Sequence, residues 1–162
     1  MKIGIMSDSH DRIESTSKVI KILKEKGSEI LIHCGDLSAP FMMEELAKFS
    51  GEIHCVFGNV EDRFNNPLRA EKLGIKHHGD TAILNIDSKK ILINHYPDIA
   101  KAFASTKEYD LVLYGHDHTQ AKKIIGKTLL INPGGIWSRN HSRIEFALYD
   151  TKTNEVEFFK IE

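Results

Sequence analysis

Short apolar segments that each end in a polar cluster recur along this chain, and this pattern constrains the fold more than any other feature. The segments Lys2 to Met6, Glu29 to His33 and Glu52 to Phe57 have the composition of buried strands. Apolar residues at helical spacing between them predict helices from Ile13 to Lys26 and from Phe41 to Phe49. Strands that alternate with helices are typical of a largely parallel sheet with helices on its faces.

The second half of the chain is predicted to be richer in antiparallel strands. Strands are expected at Ala82 to Ile86, Lys89 to Asn94, Leu111 to Tyr114, Ala121 to Ile125, Leu129 to Asn132, Arg143 to Tyr149 and Glu155 to Ile161. A helix is expected over Ile99 to Ser105, and Arg63 to Arg69 and Tyr96 to Ala100 are expected to be loops. The prediction is therefore an α/β fold, a four-layer αββα sandwich in which two stacked mixed β-sheets are flanked by helices.

The composition is that of an ordinary globular protein. The 162 residues suit one domain spanning residues 1–162, with 41% hydrophobic and 28% charged residues. The formal net charge of -1 provides no positive field for nucleic acid or for an anionic membrane surface. No apolar segment approaches the roughly 20 residues that span a bilayer, and the apolar N-terminus is too short for a signal peptide. The two cysteines, Cys34 and Cys55, form no disulfide framework, so a cytoplasmic location is expected.

Polar clusters follow five of the predicted strands. They are Asp8-Ser9-His10, Gly35-Asp36, Gly58-Asn59, Asn94-His95 and Gly115-His116-Asp117-His118. Each cluster alone has an ordinary alternative as a turn, a helix cap or a core histidine. Sites in α/β sheets form beyond the carboxyl ends of the strands, so these clusters are expected to converge. Together they offer oxygen and imidazole ligands, a mixture that suits transition metals better than Mg²⁺ or Ca²⁺.

The order D-x-H, G-D, G-N, H and G-H-x-H resembles the calcineurin-like metallophosphoesterase family, near its small prokaryotic phosphodiesterase branch. The turn Asn132-Pro133-Gly134 also resembles the family's N-P-G turn. The resemblance implies that Asp8, His10 and His118 hold one metal ion, that Asn59, His95 and His116 hold a second, and that Asp36 bridges the two. It further implies direct catalytic roles for Asp36, Asn59, His95 and Arg139, the last through contact with a phosphate oxygen. A surface salt bridge is the competing account of both Arg139 and His141.

The function implied by the resemblance is hydrolysis of a small phosphoester, with a diester favoured over a monoester. A metal-bridging hydroxide would attack phosphorus in line with the leaving group. The implied cofactors are two divalent transition-metal ions, with Mn favoured and Ni, Co, Fe or Zn as alternatives. A homodimer is a family-level expectation, whereas short length and near-neutral charge argue against a nuclease. The main alternative function is a non-catalytic binding scaffold of the same fold, like the small retromer subunit.

Two positions depart from the family pattern. Many relatives carry a histidine after the Asn, where it assists the leaving group, but here the residue is Val60. Valine cannot donate a proton, so a general-acid contribution of about 10²–10⁴-fold is expected to be missing or supplied otherwise. Where many relatives have a glycine after the His, this chain has Tyr96. Its ring is expected either to pack at the rim of the site or to stack on an aromatic part of the substrate.

Overall fold

The computed structural model describes residues 1–137 and 143–162. Its strands, in chain order, are β1 (Lys2–Met6), β2 (Ile30–His33), β3 (Glu52–Cys55), β4 (Lys76–His77), β5 (Thr81–Ile86), β6 (Lys89–Asn94), β7 (Leu111–Leu113), β8 (Ala121–Ile125), β9 (Thr128–Asn132), β10 (Ile144–Asp150) and β11 (Glu155–Ile161). The helices are α1 (Ile13–Glu25), α2 (Phe41–Leu46), α3 (Asn65–Lys72) and α4 (Pro97–Ser105). No helix within these ranges is long and apolar enough to cross a membrane.

The strands form two mixed sheets. The first has the order β11-β10-β1-β2-β3-β4, in which β1 to β4 run parallel and the hairpin of β10 and β11 pairs antiparallel along β1. The second has the order β5-β6-β7-β9-β8, with β6, β7 and β9 parallel and an antiparallel strand at each edge. The parallel strands of each sheet therefore end at one edge, where ligand sites form in such folds.

Apolar residues on the two faces of each sheet build the layers. Ile3 and Ile5 of β1 face the core between the sheets, where they meet Ile91 and Ile93 of β6. The outer face of the first sheet packs against α1 and α2, and Leu92 on the outer face of the second packs against α4. Successive strand residues point to opposite faces, so strands that are apolar on both faces are covered on both sides. This arrangement confirms the predicted four-layer α/β sandwich.

Two predicted loops contain helices. The segment predicted as a loop from Arg63 to Arg69 lies mostly in α3, which buries only Asn66 and Ala70 and so shows little apolar periodicity. The Asp62 side chain instead defines its start, because it accepts hydrogen bonds from the backbone N–H groups of Phe64 and Asn65. Helix α4 also begins earlier than predicted.

The first residue of helix α4 is Pro97, whose fixed φ suits the first helical position and whose missing N–H is not needed there. The prediction of a loop from Tyr96 to Ala100 is therefore wrong for every residue after Tyr96. Strand β4 was missed as well, because two residues, Lys76 and His77, give too short a pattern to read.

Candidate metal centre

The carboxyl ends of β1, β2, β3, β6 and β7 meet at one edge of the sandwich, and the five polar clusters lie just beyond them. Backbone hydrogen bonds join the first two clusters, from Asp8 N to Gly35 O at 3.0 Å and from His10 N to Asp36 O at 2.8 Å. A similar bond from Gly115 N to His95 O, at 3.1 Å, joins the clusters of the second sheet. The seven predicted metal ligands are thereby brought into one site.

Two glycines are required by the closeness of these loops. A Cβ at Gly58 would lie 2.0 Å from Asp36 Oδ1, and a Cβ at Gly115 would lie 2.0 Å from Ser7 Oγ. Any side chain at either position would displace residues at the floor of the site. The glycines before Asn59 and His116 therefore allow the loops to approach the carboxylates closely.

Five predicted ligands have left-handed backbone conformations. They are Asp8 (φ 52°), His10 (φ 45°), Asp36 (φ 62°), His116 (φ 70°) and His118 (φ 50°). Non-glycine residues rarely adopt such φ values, and each costs of order 1–3 kcal/mol unless the surroundings impose it. The loops therefore turn their side chains into the site at the expense of backbone strain.

The first group of side chains consists of Asp8, His10 and His118, whose potential ligand atoms all lie within 4.8 Å of one another. His118 Nε2 lies 3.1 Å from Asp8 Oδ1, and Asp8 is fully buried. His118 Nδ1–H donates to the carbonyl oxygen of Trp137 at 3.0 Å, so Nε2 is the ring nitrogen that faces the carboxylate. A cation, either the ring's second proton or a metal ion, can therefore be shared between Nε2 and Asp8.

The second group consists of Asn59, His95 and His116. Asn59 Oδ1 lies 3.1 Å from His95 Nε2 and 2.8 Å from His116 Nδ1. His95 is fully buried, and its Nδ1–H donates to the carbonyl oxygen of Cys34 at 2.8 Å. This bond leaves Nε2 as the His95 ring nitrogen that faces the amide oxygen. Two ring nitrogens and an amide oxygen therefore converge in this group.

Asp36 lies between the two groups. Its Oδ2 is 3.8 Å from His10 Nε2 and 3.5 Å from His95 Nε2, and its Oδ1 accepts a hydrogen bond from Val60 N at 2.7 Å. Burial alone would raise the pKa of Asp36, but the hydrogen bonds from His95 and from Val60 outweigh it and lower the pKa to about 2. The carboxylate is therefore ionised and shared between the groups.

The carboxylates of the site also shift the pKa values of two histidines. Burial lowers the pKa of His95, but the hydrogen bond to Asp36 and the charges of Asp8 and Asp36 outweigh it, and the pKa is raised. The pKa of His118 is raised chiefly by its hydrogen bond to Asp8. The buried carboxylates thus favour the positively charged form of these rings, and they would favour a bound divalent cation for the same reason.

An unpaired ring nitrogen provides a further test of the site for metal ions. His10 Nε2 is buried and has no hydrogen-bond partner within the described ranges, although Asp36 Oδ2 lies 3.8 Å away. A buried polar atom without a partner costs about 1–3 kcal/mol, which a metal ion bound there would recover. The donor set of imidazole, carboxylate and amide fits divalent transition metals.

Sequence reasoning missed two residues that support the site. Trp137 packs its indole 5.1 Å from the His10 ring and 5.2 Å from the His118 ring, measured between centroids. Glu61 lies between β3 and α3, and its carboxylate accepts hydrogen bonds from Leu37 N at 2.9 Å and Gly58 N at 3.4 Å. Burial raises the pKa of Glu61 to about 7. Only their closeness in sequence to the N-P-G and G-N turns could have indicated either residue.

The other residues considered from the sequence fall into two sets. Arg139 and His141 lie outside the described residues. His33 is buried, its Nδ1 accepts a hydrogen bond from Gly35 N at 3.2 Å, and its Nε2–H donates to Ser9 Oγ at 2.9 Å. Burial lowers the pKa of His33 to about 3, so the ring is neutral and links the first two clusters.

A sandwich of two mixed sheets, with a cluster of Asp, Asn and His side chains at the carboxyl ends of its strands, fits a metal-dependent phosphoesterase. The sequence profile of the calcineurin-like phosphoesterase superfamily domain matches residues 1–154. The chain therefore belongs to the calcineurin-like phosphoesterase superfamily. Membership implies divalent metal ions as cofactors and small phosphoesters as substrates.

Similar proteins include characterised phosphodiesterases. The chain is 32% identical over 139 residues to a phosphodiesterase of Methanocaldococcus jannaschii, covering 83% of each sequence. A solved archaeal phosphodiesterase superposes with a TM-score of 0.92 at 28% identity, covering 99% of this chain and 100% of the other. A Vps29 variant from Entamoeba histolytica superposes with a TM-score of 0.68 at 15% identity over the whole of both chains, a likeness of fold alone.

Proposed function

We propose that this chain is a phosphodiesterase for small phosphodiesters that works at a dinuclear metal centre. In this proposal Asp8, His10 and His118 hold one ion, Asn59, His95 and His116 hold the second, and Asp36 bridges the two. The observation that carries the proposal is the convergence of ring nitrogens with carboxylate and amide oxygens in two groups around Asp36. The sequence and structural similarity to phosphodiesterases supports the diester preference.

The chain's residues would bind and orient the diester for attack by water. When bound, two divalent ions lower the pKa of water and polarise the phosphoryl oxygens, which provides the nucleophile at neutral pH. The water gives up a proton to solvent, and its oxygen forms a bond to phosphorus as the bond to the leaving oxygen breaks on the opposite side. Asn59 and His95 would orient the second ion, and Arg139 would bind a phosphate oxygen bidentately.

Val60 determines how the leaving group receives its proton. The side chain is 42% exposed and carries no acid, while its backbone N–H is bound to Asp36. The leaving oxygen would therefore take its proton from solvent. Diesters with stable leaving anions, such as phenolates, are expected to react fastest because they need no general acid.

We also propose which metal ion is bound, how the chain is organised and where the protein is located. We favour Mn²⁺ as the native ion, with Ni²⁺, Co²⁺, Fe²⁺ or Zn²⁺ as alternatives, because a mixed nitrogen and oxygen site accepts all of them. We also propose one domain over residues 1–162, a cytoplasmic location and a homodimer. The net charge of -1 argues against nucleic acid as a substrate.

The main rival is a non-catalytic scaffold of the same fold. It is less supported, because the superposition on Vps29 has a TM-score of 0.68, against 0.92 for the archaeal phosphodiesterase. A phosphomonoesterase is the second rival, since the same donor set could serve a monoester.

Metal-free protein assayed on bis-p-nitrophenyl phosphate and on p-nitrophenyl phosphate separates these functions. Mn²⁺, Ni²⁺, Co²⁺, Zn²⁺ and Mg²⁺ are added back in turn to wild type and to Asp36→Asn. Asp98→Asn is the matched control, because that carboxylate lies on α4 with its side chain 94% exposed. Metal-dependent cleavage of the diester that is lost only in Asp36→Asn is the expected result. Cleavage of the monoester alone would remove the diester preference, and no cleavage with any metal would favour the scaffold.

A further inference from the structure

Two aromatic side chains pack against the metal centre, each against a different group of ligands. Trp137 follows β9, and its indole lies against His10 and His118 at interplanar angles of 58° and 82°. Tyr96 follows β6, and its ring centroid lies 5.2 Å from that of His95 and 5.6 Å from that of His116. Each aromatic ring therefore contacts two histidines of one group and none of the other among the ring contacts of the described residues.

The order of side chains across the site follows from these contacts. Asp36 Oδ2 lies between His10 and His95, at 3.8 Å and 3.5 Å from their Nε2 atoms. The contacts therefore lead from Trp137 through His10 to Asp36, and from there through His95 to Tyr96. A phosphoryl group bound over Asp36 would have one aromatic side chain beyond His10 and the other beyond His95.

Both aromatic residues are held in place and partly exposed. The backbone N–H of Trp137 donates to Asp8 O at 2.8 Å, and its carbonyl oxygen accepts from His118. The backbone N–H of Tyr96 donates to Asn94 Oδ1 at 3.0 Å, and the following Pro97 restricts its conformation to the extended region. The backbone is thus fixed at both positions and each ring packs against two histidines, so binding against the rings would require little loss of side-chain freedom.

We infer that Trp137 and Tyr96 form two aromatic walls that bind the two ester substituents of a phosphodiester and select planar, apolar groups over small alkyl groups. A diester has two substituents on phosphorus, one that leaves and one that stays, and in-line attack places the leaving oxygen opposite the nucleophile. One wall contacts the leaving substituent, and the other contacts the retained one. This inference rests on the proposed function and specifies its substrate class.

Kinetics with two substrates that share a leaving group test the walls. Bis-p-nitrophenyl phosphate and methyl p-nitrophenyl phosphate both release p-nitrophenolate, but they retain an aryl group and a methyl group respectively. The variants are Trp137→Leu, Trp137→Phe, Tyr96→Leu and Tyr96→Phe, each assayed after its bound metal has been measured.

The Leu variant of the wall that contacts the retained substituent is expected to raise KM for the diaryl substrate alone. The Leu variant of the wall that contacts the leaving substituent is expected to raise KM for both substrates, because they share that group. The size expected is about 2- to 12-fold, the range of one aromatic contact, and the matching Phe variant should restore it. Unchanged KM values in both Leu variants that retain full metal content would overturn the inference.

A binding measurement keeps this inference separate from the proposed catalysis. Trp137 is the only tryptophan of the chain, so tryptophan emission, excited selectively over that of tyrosine, reports on this residue. In the zinc-loaded protein, p-nitrobenzylphosphonate, which has no hydrolysable ester bond, is expected to quench the emission saturably. Methylphosphonate should compete for the site without quenching.

The two measurements fail in different ways. If the aryl phosphonate quenches the emission saturably but the protein hydrolyses no diester, the aromatic walls are supported and the proposed phosphodiesterase activity is contradicted. Diester hydrolysis without quenching, together with unchanged KM values, would retain the enzyme and reject the walls.

Discussion

At the scale of single residues, the strained backbone of the metal centre is the most informative feature. His116 has φ 70° and an exposed side chain, and its backbone N–H donates to Asp8 Oδ2 at 3.1 Å, so contacts of the loop backbone help to impose its conformation. Glycine accepts such a φ without steric cost, whereas alanine does not. Residues that would serve as ligands are thus held where another residue type would be more stable.

His116→Gly is expected to be more stable than His116→Ala in the metal-free protein by about 1 kcal/mol. Both variants remove the imidazole, so their difference isolates the backbone. The free energy of unfolding in urea measures it. As a control, Lys101 in α4 should give the opposite sign, with Lys101→Ala more stable than Lys101→Gly by about 1 kcal/mol. Equal stability of the two His116 variants would mean that the loop relaxes and stores no strain.

At the scale of elements, Glu61 joins loops that follow two different strands. Its Oε1 accepts hydrogen bonds from the residues beside Asp36 and Asn59, and its Oε2 accepts from Asn66 Nδ2 at 2.5 Å. Asn66 in turn donates to Ser38 O at 3.1 Å, which ties α3 to the loop after β2. Helix α3 is therefore part of the support of the metal centre.

Glu61→Ala is expected to weaken Mn²⁺ binding about 10- to 100-fold, the usual effect of losing a group that orients ligands. Glu61→Gln should restore most of this affinity, because its oxygen can still accept from Leu37 and Gly58. Its amide could donate to Asn66 Oδ1, which has no partner among the described residues. Isothermal titration calorimetry measures the affinity, with the exposed Glu71→Ala on α3 as the control. Failure of Gln to improve on Ala would show that the charge, not the hydrogen bonding, matters.

The helices and strands of strong periodicity were predicted from sequence, and those of weak periodicity were not. Helix α1 and strand β6 bury a regular set of apolar residues, and they lie within one residue of their predicted bounds. Helix α3 depends on the Asp62 side chain and on contacts with α2, such as the ion pair between Arg69 and Glu44. Such contacts leave no periodic pattern in the sequence.

At the scale of the whole molecule, the centre connects the two sheets. Asp36 and Asn59 follow strands of the first sheet, whereas His95 and His116 follow strands of the second. In the proposed function an ion held between the groups would link the sheets directly. Binding that occurs only in the folded state adds to the free energy of unfolding.

Saturating Mn²⁺ is expected to stabilise the whole protein. At about 100 times the dissociation constant the gain is about 2.7 kcal/mol, which corresponds to a rise in melting temperature of roughly 5–10 °C for a chain of this size. Thermal unfolding with Mn²⁺ and with EDTA measures the rise. Asp36→Asn should lose most of it, and Asp98→Asn should retain it. An identical melting temperature with and without metal in wild type would contradict a centre that bridges the sheets.

The sequence by itself determined the order of the strongly periodic strands and helices and the five polar clusters at the strand ends, because periodicity and turn chemistry are local properties of the chain. The resemblance to the calcineurin-like family selected the seven predicted ligands from those clusters. Only the tertiary structure decided that the hairpin of β10 and β11 joins the first sheet, that Trp137 packs against His10 and His118, and that Glu61 joins two loops. These contacts join residues far apart in sequence or across loops. They depend on which surfaces pack together, and the free energy of that packing is a property of the assembled layers.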